Sequence, residues 1–147
     1  MWYMKRLFTT SRHIDSPVEP VWDALADVTR WPEWTPTTTS VERLDDGVLR
    51  PGSRVRIRQP RLPQAVWTVT EMVAGRCFAW VAQGPGMSTT GRHEVVADGD
   101  GCLVTLSIEQ SGPMGAVAAL VWRGLTQRYI ETEALSLDRR VTGAASA

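Results

Sequence analysis

The sequence predicts an α+β fold in which a curved, seven-stranded antiparallel sheet wraps around a long C-terminal helix. Three observations lead to this prediction. Residues 3–14 have the composition of a strand and precede a short helical segment. Residues 36–111 form short alternating runs between turn residues and lack a long helical period. Residues 114–139 carry an amphipathic helical pattern, which requires a large concave partner.

Two short helices are predicted between the first and second strands. Ser16 is placed to cap the first helix, with Pro17 at its first position and Glu19 completing a capping box. Pro32 ends any continuation, and we expect Trp31 and Trp34 to pack beneath this turn as core residues. The helical spacing of apolar residues predicts one buried face, formed by Val18, Val21, Trp22, Leu25 and Val28.

Six further strands are predicted as an antiparallel meander, at residues 41–44, 54–59, 66–73, 77–81, 88–97 and 103–109. The segment Asp98-Gly99-Asp100-Gly101 predicts a tight hairpin because Asp-Gly pairs tolerate positive φ. Arg56 and Arg58 alternate with apolar residues, which favours the solvated face of a strand over a basic binding patch.

Length and charge limit the class of protein. A chain of 147 residues has the usual length of one domain, with a core expected at about residues 3–140 and a tail at 141–147. The formal net charge is zero, so no overall field favours nucleic acid. We find no signal-peptide pattern and no apolar run of about 20 residues. We therefore expect a cytoplasmic protein without a transmembrane segment.

Cys77 and Cys102 fall in different predicted strands with a third strand between them. Two strand spacings separate Cα atoms by roughly 9.5 Å, beyond the reach of a disulfide, so buried free thiols are expected. Two cysteines and two histidines without close ligand spacing predict no metal site. We expect no cofactor.

The order of elements and several local motifs resemble a known group of proteins. The matching segments are Ile14-x-x-Pro17, Val21-Trp22, Asp27, Trp31-Pro32-x-Trp34, Val69-Thr70-Glu71, Arg76-Cys77-Phe78-Ala79-Trp80, His93-Glu94-Val95 and Gly101-Cys102-Leu103-Val104-Thr105. They resemble the polyketide cyclase/dehydrase and lipid-transport group of the START-like (SRPBCC) superfamily, whose birch-pollen-allergen-like architecture is called the helix-grip fold. The resemblance implies a space between sheet and helix that holds sterols, lipids, polyketides, quinones or plant hormones.

On that fold, strand and helix parity predict an apolar ligand-binding lining. The strands are expected to contribute Val55, Ile57, Trp67, Val69, Phe78 and Trp80, and the helix Val117, Ala118, Val121, Leu125 and Tyr129. The alternative is a filled core without a usable cavity, because seven tryptophans occupy much space in a small domain.

Few polar residues are candidates for chemistry. His93 has the parity of an inward side chain and could bind ligand or act as a base, or it could be structural. Arg128 either reaches a ligand or pairs with Glu131 at the surface. Tyr129 either anchors a ligand or belongs to the core. We expect His13 at the surface.

Three functions remain open from the sequence. The first is binding or carriage of a small hydrophobic molecule. The second is a polyketide aromatase/cyclase-type enzyme that uses His93, Arg128 or Tyr129. The third is a protein-interaction module resembling a chaperone activator. Nucleophile-elbow, phosphate-loop and dinucleotide motifs are absent from the sequence. Exposed sheet edges make a homodimer a further expectation.

Overall fold

The computed structural model describes residues 6–143 of the chain. The strands are β1 Arg6–Ile14, β2 Ser40–Arg43, β3 Arg54–Arg58, β4 Ala65–Val73, β5 Cys77–Gly84, β6 Met87–Asp98 and β7 Gly101–Ser111. These seven strands form one antiparallel sheet in the order β1-β7-β6-β5-β4-β3-β2. The predicted α+β helix-grip architecture is confirmed. Residues 3–5 of the first predicted strand and most of the predicted tail lie outside the described residues.

Two features shape the sheet locally. Asp98 pairs with Gly101, and Gly99 has a φ of 60°, so the predicted two-residue hairpin turn is confirmed. The β4–β5 register shifts between Val69 and Glu71, and such a bulge bends a strand and increases its twist.

Two short helices follow β1, as predicted. Helix α1 is Val18–Ala26, and a 3₁₀ helix is Val28–Glu33. The predicted capping box is wrong, because Pro17 is the N-cap and the Ser16 hydroxyl donates to the Pro17 carbonyl oxygen at 3.0 Å. The helix begins one residue later than the capping box requires, so Ser16 lies outside the cap position and its hydroxyl bonds a local carbonyl instead.

The C-terminal segment is two helices, where the sequence pattern predicts one. Helix α2 is Pro113–Val121 and helix α3, the long helix, is Arg123–Thr142. Trp122 separates them with a φ of −107° and a ψ of 16°. Gly124 follows closely, and glycine lowers helix propensity, which favours an interruption at this point.

The break at Trp122 changes which side of α2 is buried. Val117 and Val121 are 49% and 65% exposed, so their predicted inward orientation is wrong. The buried residues of α2 are Gly115, Ala118 and Ala119, whose small side chains allow the helix to pack closely on β6 and β7. A helix that bends between two packing surfaces does not preserve a single apolar stripe, which is the assumption behind the prediction.

Helix α3 covers the concave face of the sheet and contacts α1, β1 and β7. It buries Ile130, Ala134 and Leu137. The opposing sheet face supplies the buried side chains Val55, Ile57, Trp67, Val69, Phe78, Trp80, Val95, Val104 and Leu106. The core therefore lies between the sheet on one side and α1, the 3₁₀ helix and α3 on the other.

The two cysteines, Arg56 and His13 lie where the sequence pattern places them. Cys77 and Cys102 are free and buried, as predicted. Arg56 lies on the outer face of β3 and forms an ion pair with Glu42 at 2.6 Å, which confirms the solvated arginine face. His13 is exposed as predicted, and hydrogen bonds to Asp98 and Asp15 raise its pKa. Within residues 6–143, no helix combines the length and apolarity that spanning a bilayer requires.

Candidate functional site

A cavity of about 100 Å³ lies between the sheet and the C-terminal helices. Its walls come from the loop after β3, from β4, β6 and β7, and from α3 together with the residue that precedes it. The lining residues are Gln59, Leu62, Trp67, Thr89, Ile108, Gln110, Trp122, Thr126, Tyr129, Ile130 and Glu133. Apolar and aromatic walls with a few converging polar groups are typical of small-molecule sites.

The rest of the concave space is filled by aromatic side chains from the helices. Trp22 of α1 meets Phe78 edge-on, with ring centroids 6.1 Å apart. Trp31 of the 3₁₀ helix lies 5.4 Å from Trp80 and 5.5 Å from His93. The filled-core alternative therefore describes one end of the fold, while the cavity occupies the end beneath α3.

Trp67, one of the aromatic residues that line the cavity, is held in place by its neighbour Trp80. Their ring centroids are 5.7 Å apart. Trp80 in turn lies over Gly91, which is its partner across the β5–β6 ladder. A Cβ atom at Gly91 would approach the Trp80 Nε1 to 3.0 Å, so the missing side chain makes room for the indole. Glycine at position 91 thus helps to determine the position of Trp80 and, through it, that of Trp67.

The mouth of the cavity is bordered by a loop held to α3. Tyr129 donates a hydrogen bond from its hydroxyl to the carbonyl oxygen of Pro60. Arg61, the next residue, has a φ of 67°, a left-handed conformation that turns the loop sharply. Gln59 and Leu62 flank this turn and line the cavity. Burial raises the pKa of Tyr129, so its hydroxyl remains a donor at neutral pH.

The polar groups of the cavity come from β6, β7 and α3. Thr89 donates to the side-chain oxygen of Gln110 at 2.6 Å, and Gln110 is 8% exposed. Burial raises the pKa of Glu133 to about 7, and a hydrogen bond from Thr37 opposes this effect. Near neutral pH the carboxyl group can therefore exist in either protonation state, as a donor or as an anion.

His93 faces the interior, as its strand parity predicts, but it lies in the aromatic cluster and does not line the cavity. Its ring stacks on Phe78 at a centroid distance of 4.2 Å, and its Nδ1 lies 3.4 Å from the Phe78 carbonyl oxygen. A carbonyl only accepts, so Nδ1 carries the proton. Burial lowers the pKa of His93 to about 4, so the ring is neutral at physiological pH.

The remaining predicted site residues divide into three groups. Trp67 and Tyr129 line the cavity. Val55, Ile57, Val69, Phe78 and Trp80 lie on the concave face as predicted, but within the packed core. Leu125 is half-buried outside the cavity lining, and Arg128 is exposed. Glu131 accepts a hydrogen bond from Gln127 at 2.9 Å, in place of the alternative pairing with Arg128.

Several cavity residues are absent from the sequence-based prediction. Glu133 follows Tyr129 by one helical turn and therefore lies on the same face of α3. Its position on the cavity wall follows from the sequence once α3 is known to start at Arg123. Gln110 has the parity of Leu106 and Ile108, but the predicted strand ends at residue 109 and excludes it. In both cases the available signal was a polar residue at a position where the spacing otherwise places apolar residues on the inner face.

A larger but open groove of about 630 Å³ lies between β1 and α2. It is lined by Arg6, Leu7, Phe8, Ala116, Val117, Ala119, Leu120 and Arg123. Val117, predicted to line the interior, borders this surface groove. The groove lies at the edge strand β1, whereas the smaller cavity lies between the concave face of the sheet and α3. We therefore regard the smaller cavity as the candidate site.

The described chain offers no preformed metal centre. Among residues 6–143, no three His, Cys, Asp or Glu side chains come together as ligands. The candidate site therefore rests on hydrogen bonding, one titratable carboxyl group and aromatic surfaces.

Comparison with known proteins now identifies the family. The family model described as "Polyketide cyclase / dehydrase and lipid transport" matches residues 5–142. The chain belongs to this polyketide cyclase/dehydrase and lipid-transport family. The resemblance inferred from local motifs is thereby confirmed over nearly the whole sequence. Among curated proteins, no sequence matches this chain significantly.

Solved structures similar to this family member share its fold at low sequence identity. The protein TTHA0849 from Thermus thermophilus is 18% identical, with a TM-score of 0.74 and coverage of 96% of this chain and 100% of that one. The Zhui aromatase/cyclase from Streptomyces sp. R1128 is 20% identical, with a TM-score of 0.75 and coverage of 98% and 100%.

A third similar structure is norcoclaurine synthase from Thalictrum flavum in complex with dopamine and hydroxybenzaldehyde. It is 13% identical, with a TM-score of 0.75 and coverage of 99% of this chain and 91% of that one. At these identities the likeness establishes the fold. The family as described includes both cyclases and lipid-transport proteins, so membership supports ligand binding in general.

Proposed function

We propose that this protein binds a small, largely apolar molecule in the cavity between the sheet and α3. The observation that supports the proposal is the cavity itself, which is walled by Trp67, Ile108 and Ile130 and supplied with a few polar groups. A cavity of about 150 Å³ is large enough for benzene, so about 100 Å³ suits a head group or small substituent. The remainder of a larger ligand would extend to the mouth.

In this proposal Trp67 and Tyr129 contact the ligand directly. Val55, Ile57, Val69, Phe78 and Trp80 act behind them as a rigid wall, since their space is already packed. The loop at Pro60 borders the cavity on one side, where the Tyr129 hydrogen bond holds it to α3. Leu125 and Arg128 would then meet only the part of a ligand that protrudes from the mouth.

Native mass spectrometry of freshly purified protein, compared with the same sample after denaturation, tests this proposal. We expect a co-purifying small molecule that is lost on denaturation. Thr126→Trp adds bulk inside the cavity and should abolish this mass, because Thr126 is a lining residue. Glu131→Trp is the matched control, because Glu131 is exposed on the same helix. Equal retention by both variants would contradict binding in this cavity.

A second candidate function is catalysis of the polyketide cyclase/dehydrase type, and Glu133 is the observation that favours it. A cavity carboxyl group with a pKa of about 7 can exchange a proton with a substrate near neutral pH. His93 and Arg128 offer less support, because His93 is stacked on Phe78 and Arg128 is exposed. Turnover of a poly-β-ketone that is lost in Glu133→Gln and retained in His93→Phe would support this candidate.

The interaction-module alternative has one supporting observation. Met114, Leu120 and Val121 of α2 are 48%, 66% and 65% exposed, which leaves apolar surface on the outside of the fold. We propose a cytoplasmic location, which two buried free cysteines support. A homodimer remains a proposal from the exposed edges β1 and β2, and light scattering coupled to gel filtration measures it directly.

A further inference from the structure

Glu133 is the charged residue of the cavity lining, and none of residues 6–143 supplies it with a cationic partner. The ten other lining residues are apolar, aromatic or uncharged polar side chains. Within residues 6–143, the influences on its pKa are burial and the Thr37 hydrogen bond, without any contribution from a neighbouring cation. An ionised carboxylate in such a place loses hydration without gaining a counter-charge, which is energetically costly.

Three aromatic residues line the same cavity as this carboxyl group. Trp67 is fixed by its contact with Trp80, and Tyr129 by its hydrogen bond to Pro60. Trp122 completes the set from the junction of α2 and α3. The faces of indole and phenol rings attract cations, and this attraction strengthens when the cation is removed from water.

The uncharged polar groups are partly occupied by each other. The side-chain oxygen of Gln110 already accepts the Thr89 hydroxyl. These groups help to hydrate or orient a ligand, but they supply no charge. The cavity therefore combines a carboxylate with aromatic surfaces, and these are the groups that attract organic cations.

We propose that this cavity binds a substituted ammonium head group, whose positive charge pairs with Glu133 and packs against the rings of Trp67, Trp122 and Tyr129. The inference rests on the proposed ligand-binding function and specifies its ligand class. The apolar remainder of the ligand extends past Tyr129 to the mouth. A bound ammonium supplies the counter-charge that the described part of the chain does not place beside Glu133.

The proposal predicts that ligand affinity depends on pH because Glu133 titrates, even when the charge of the ligand is constant. The groups around Glu133 are Tyr129 on its own helix, Thr37 from the loop before β2, and Gln59, Thr89 and Gln110 from the sheet side. Arg61 and Arg128 act on Tyr129 from the exposed mouth. A ligand of permanent charge therefore reports the protonation of Glu133, and its affinity should rise as the pH increases through about 7.

The experiment compares two probes of the same shape by isothermal titration calorimetry and tryptophan fluorescence. Phenyltrimethylammonium carries a permanent charge, and tert-butylbenzene has carbon in place of the charged nitrogen. At pH 8 we expect the cation to bind at least about tenfold more tightly, as for a partly desolvated cation–π and ion pair. Between pH 8 and pH 5 its affinity should fall up to roughly 100-fold, whereas that of tert-butylbenzene stays constant.

Glu133→Gln is the decisive variant, because it keeps the size of the side chain and removes its charge. It should bring the two probes to within about threefold of each other and abolish the pH dependence. Comparable affinities of both probes for the wild-type protein would overturn the ammonium preference while leaving the ligand cavity intact. Failure of both probes to bind would overturn the cavity as well. A cation preference that persists in Glu133→Gln would show that Glu133 is not the counter-ion.

Discussion

The Tyr129 hydroxyl donates a hydrogen bond to the Pro60 carbonyl oxygen, and this bond joins α3 to the loop between β3 and β4. It connects residues far apart in sequence at the mouth of the cavity. Because the loop also contains Gln59 and Leu62 of the cavity wall, the same bond helps to hold that part of the wall in place.

Tyr129→Phe should loosen the attachment of this loop to α3. The ring remains, but the Pro60 carbonyl loses its partner, so we expect a loss of about 1 kcal/mol in the free energy of unfolding. Hydrogen exchange of the loop amides at residues 59–64 should accelerate more than exchange in the sheet. Arg128→Ala, at the exposed neighbouring position, is the control and should leave loop exchange unchanged. Unaltered loop exchange in Tyr129→Phe would mean that this bond does not hold the mouth.

Glu133→Gln should change how stability depends on pH. The folded-state pKa of about 7 lies above the ordinary value of 4.5, so the protonated form favours folding. This contribution is complete below pH 4.5 and is lost as the pH rises to about 7. Over that interval the unfolding free energy of the wild type, relative to Glu133→Gln, should fall by about 3 kcal/mol. Urea unfolding at a series of pH values measures it, and a constant difference would indicate a solvated carboxyl group.

His93→Phe should give a pH dependence of the opposite sign. Burial lowers the pKa of His93 from 6.5 to about 4, so folding requires the neutral ring. The contribution is complete above pH 6.5 and is lost as the pH falls to about 4. Relative to His93→Phe, wild-type stability should drop by about 3 kcal/mol over this range.

His13→Gln is the control for this experiment. Hydrogen bonds to Asp98 and Asp15 raise the pKa of His13, so its contribution disappears as the pH increases through that raised value. The two histidine variants should therefore differ in the direction of their pH effect. If both showed the same direction, the neutral, stacked assignment of His93 would be wrong.

Gly91→Ala should destabilise the fold through Trp80. The new methyl group would stand 3.0 Å from the Trp80 Nε1, and that indole is confined by Trp31, Trp67 and other rings. We expect a loss of about 1–3 kcal/mol, the usual cost of overpacking a core, together with a shift in tryptophan fluorescence.

Gly124→Ala provides the matched control for the glycine substitution. Its Cβ atom would meet only the end of the Arg128 side chain, at 3.8 Å. Because alanine favours helix over glycine, this variant should be more stable by about 0.5–1 kcal/mol. A Gly91→Ala variant as stable as the wild type would show that Trp80 can shift, and would weaken the argument that Gly91 positions Trp67.

The architecture could be predicted from the amino-acid sequence, because periodicity and turn residues are local properties. Alternation located six strands, Asp98 and Gly101 marked the hairpin, and strand parity placed His93 inside. Each of these features depends on near neighbours in the chain, so a single sequence contains the information.

The position of the cavity could not be predicted in this way, because it depends on how distant side chains pack together. Trp22 and Trp31 fill one end of the concave face, and the break at Trp122 turns Val117 outward while leaving Glu133 on the cavity wall. Cavity shape results from side chains that are distant in sequence competing for volume. The periodicity of a helical segment does not predict where the helix changes direction, because the surfaces against which it packs impose that change.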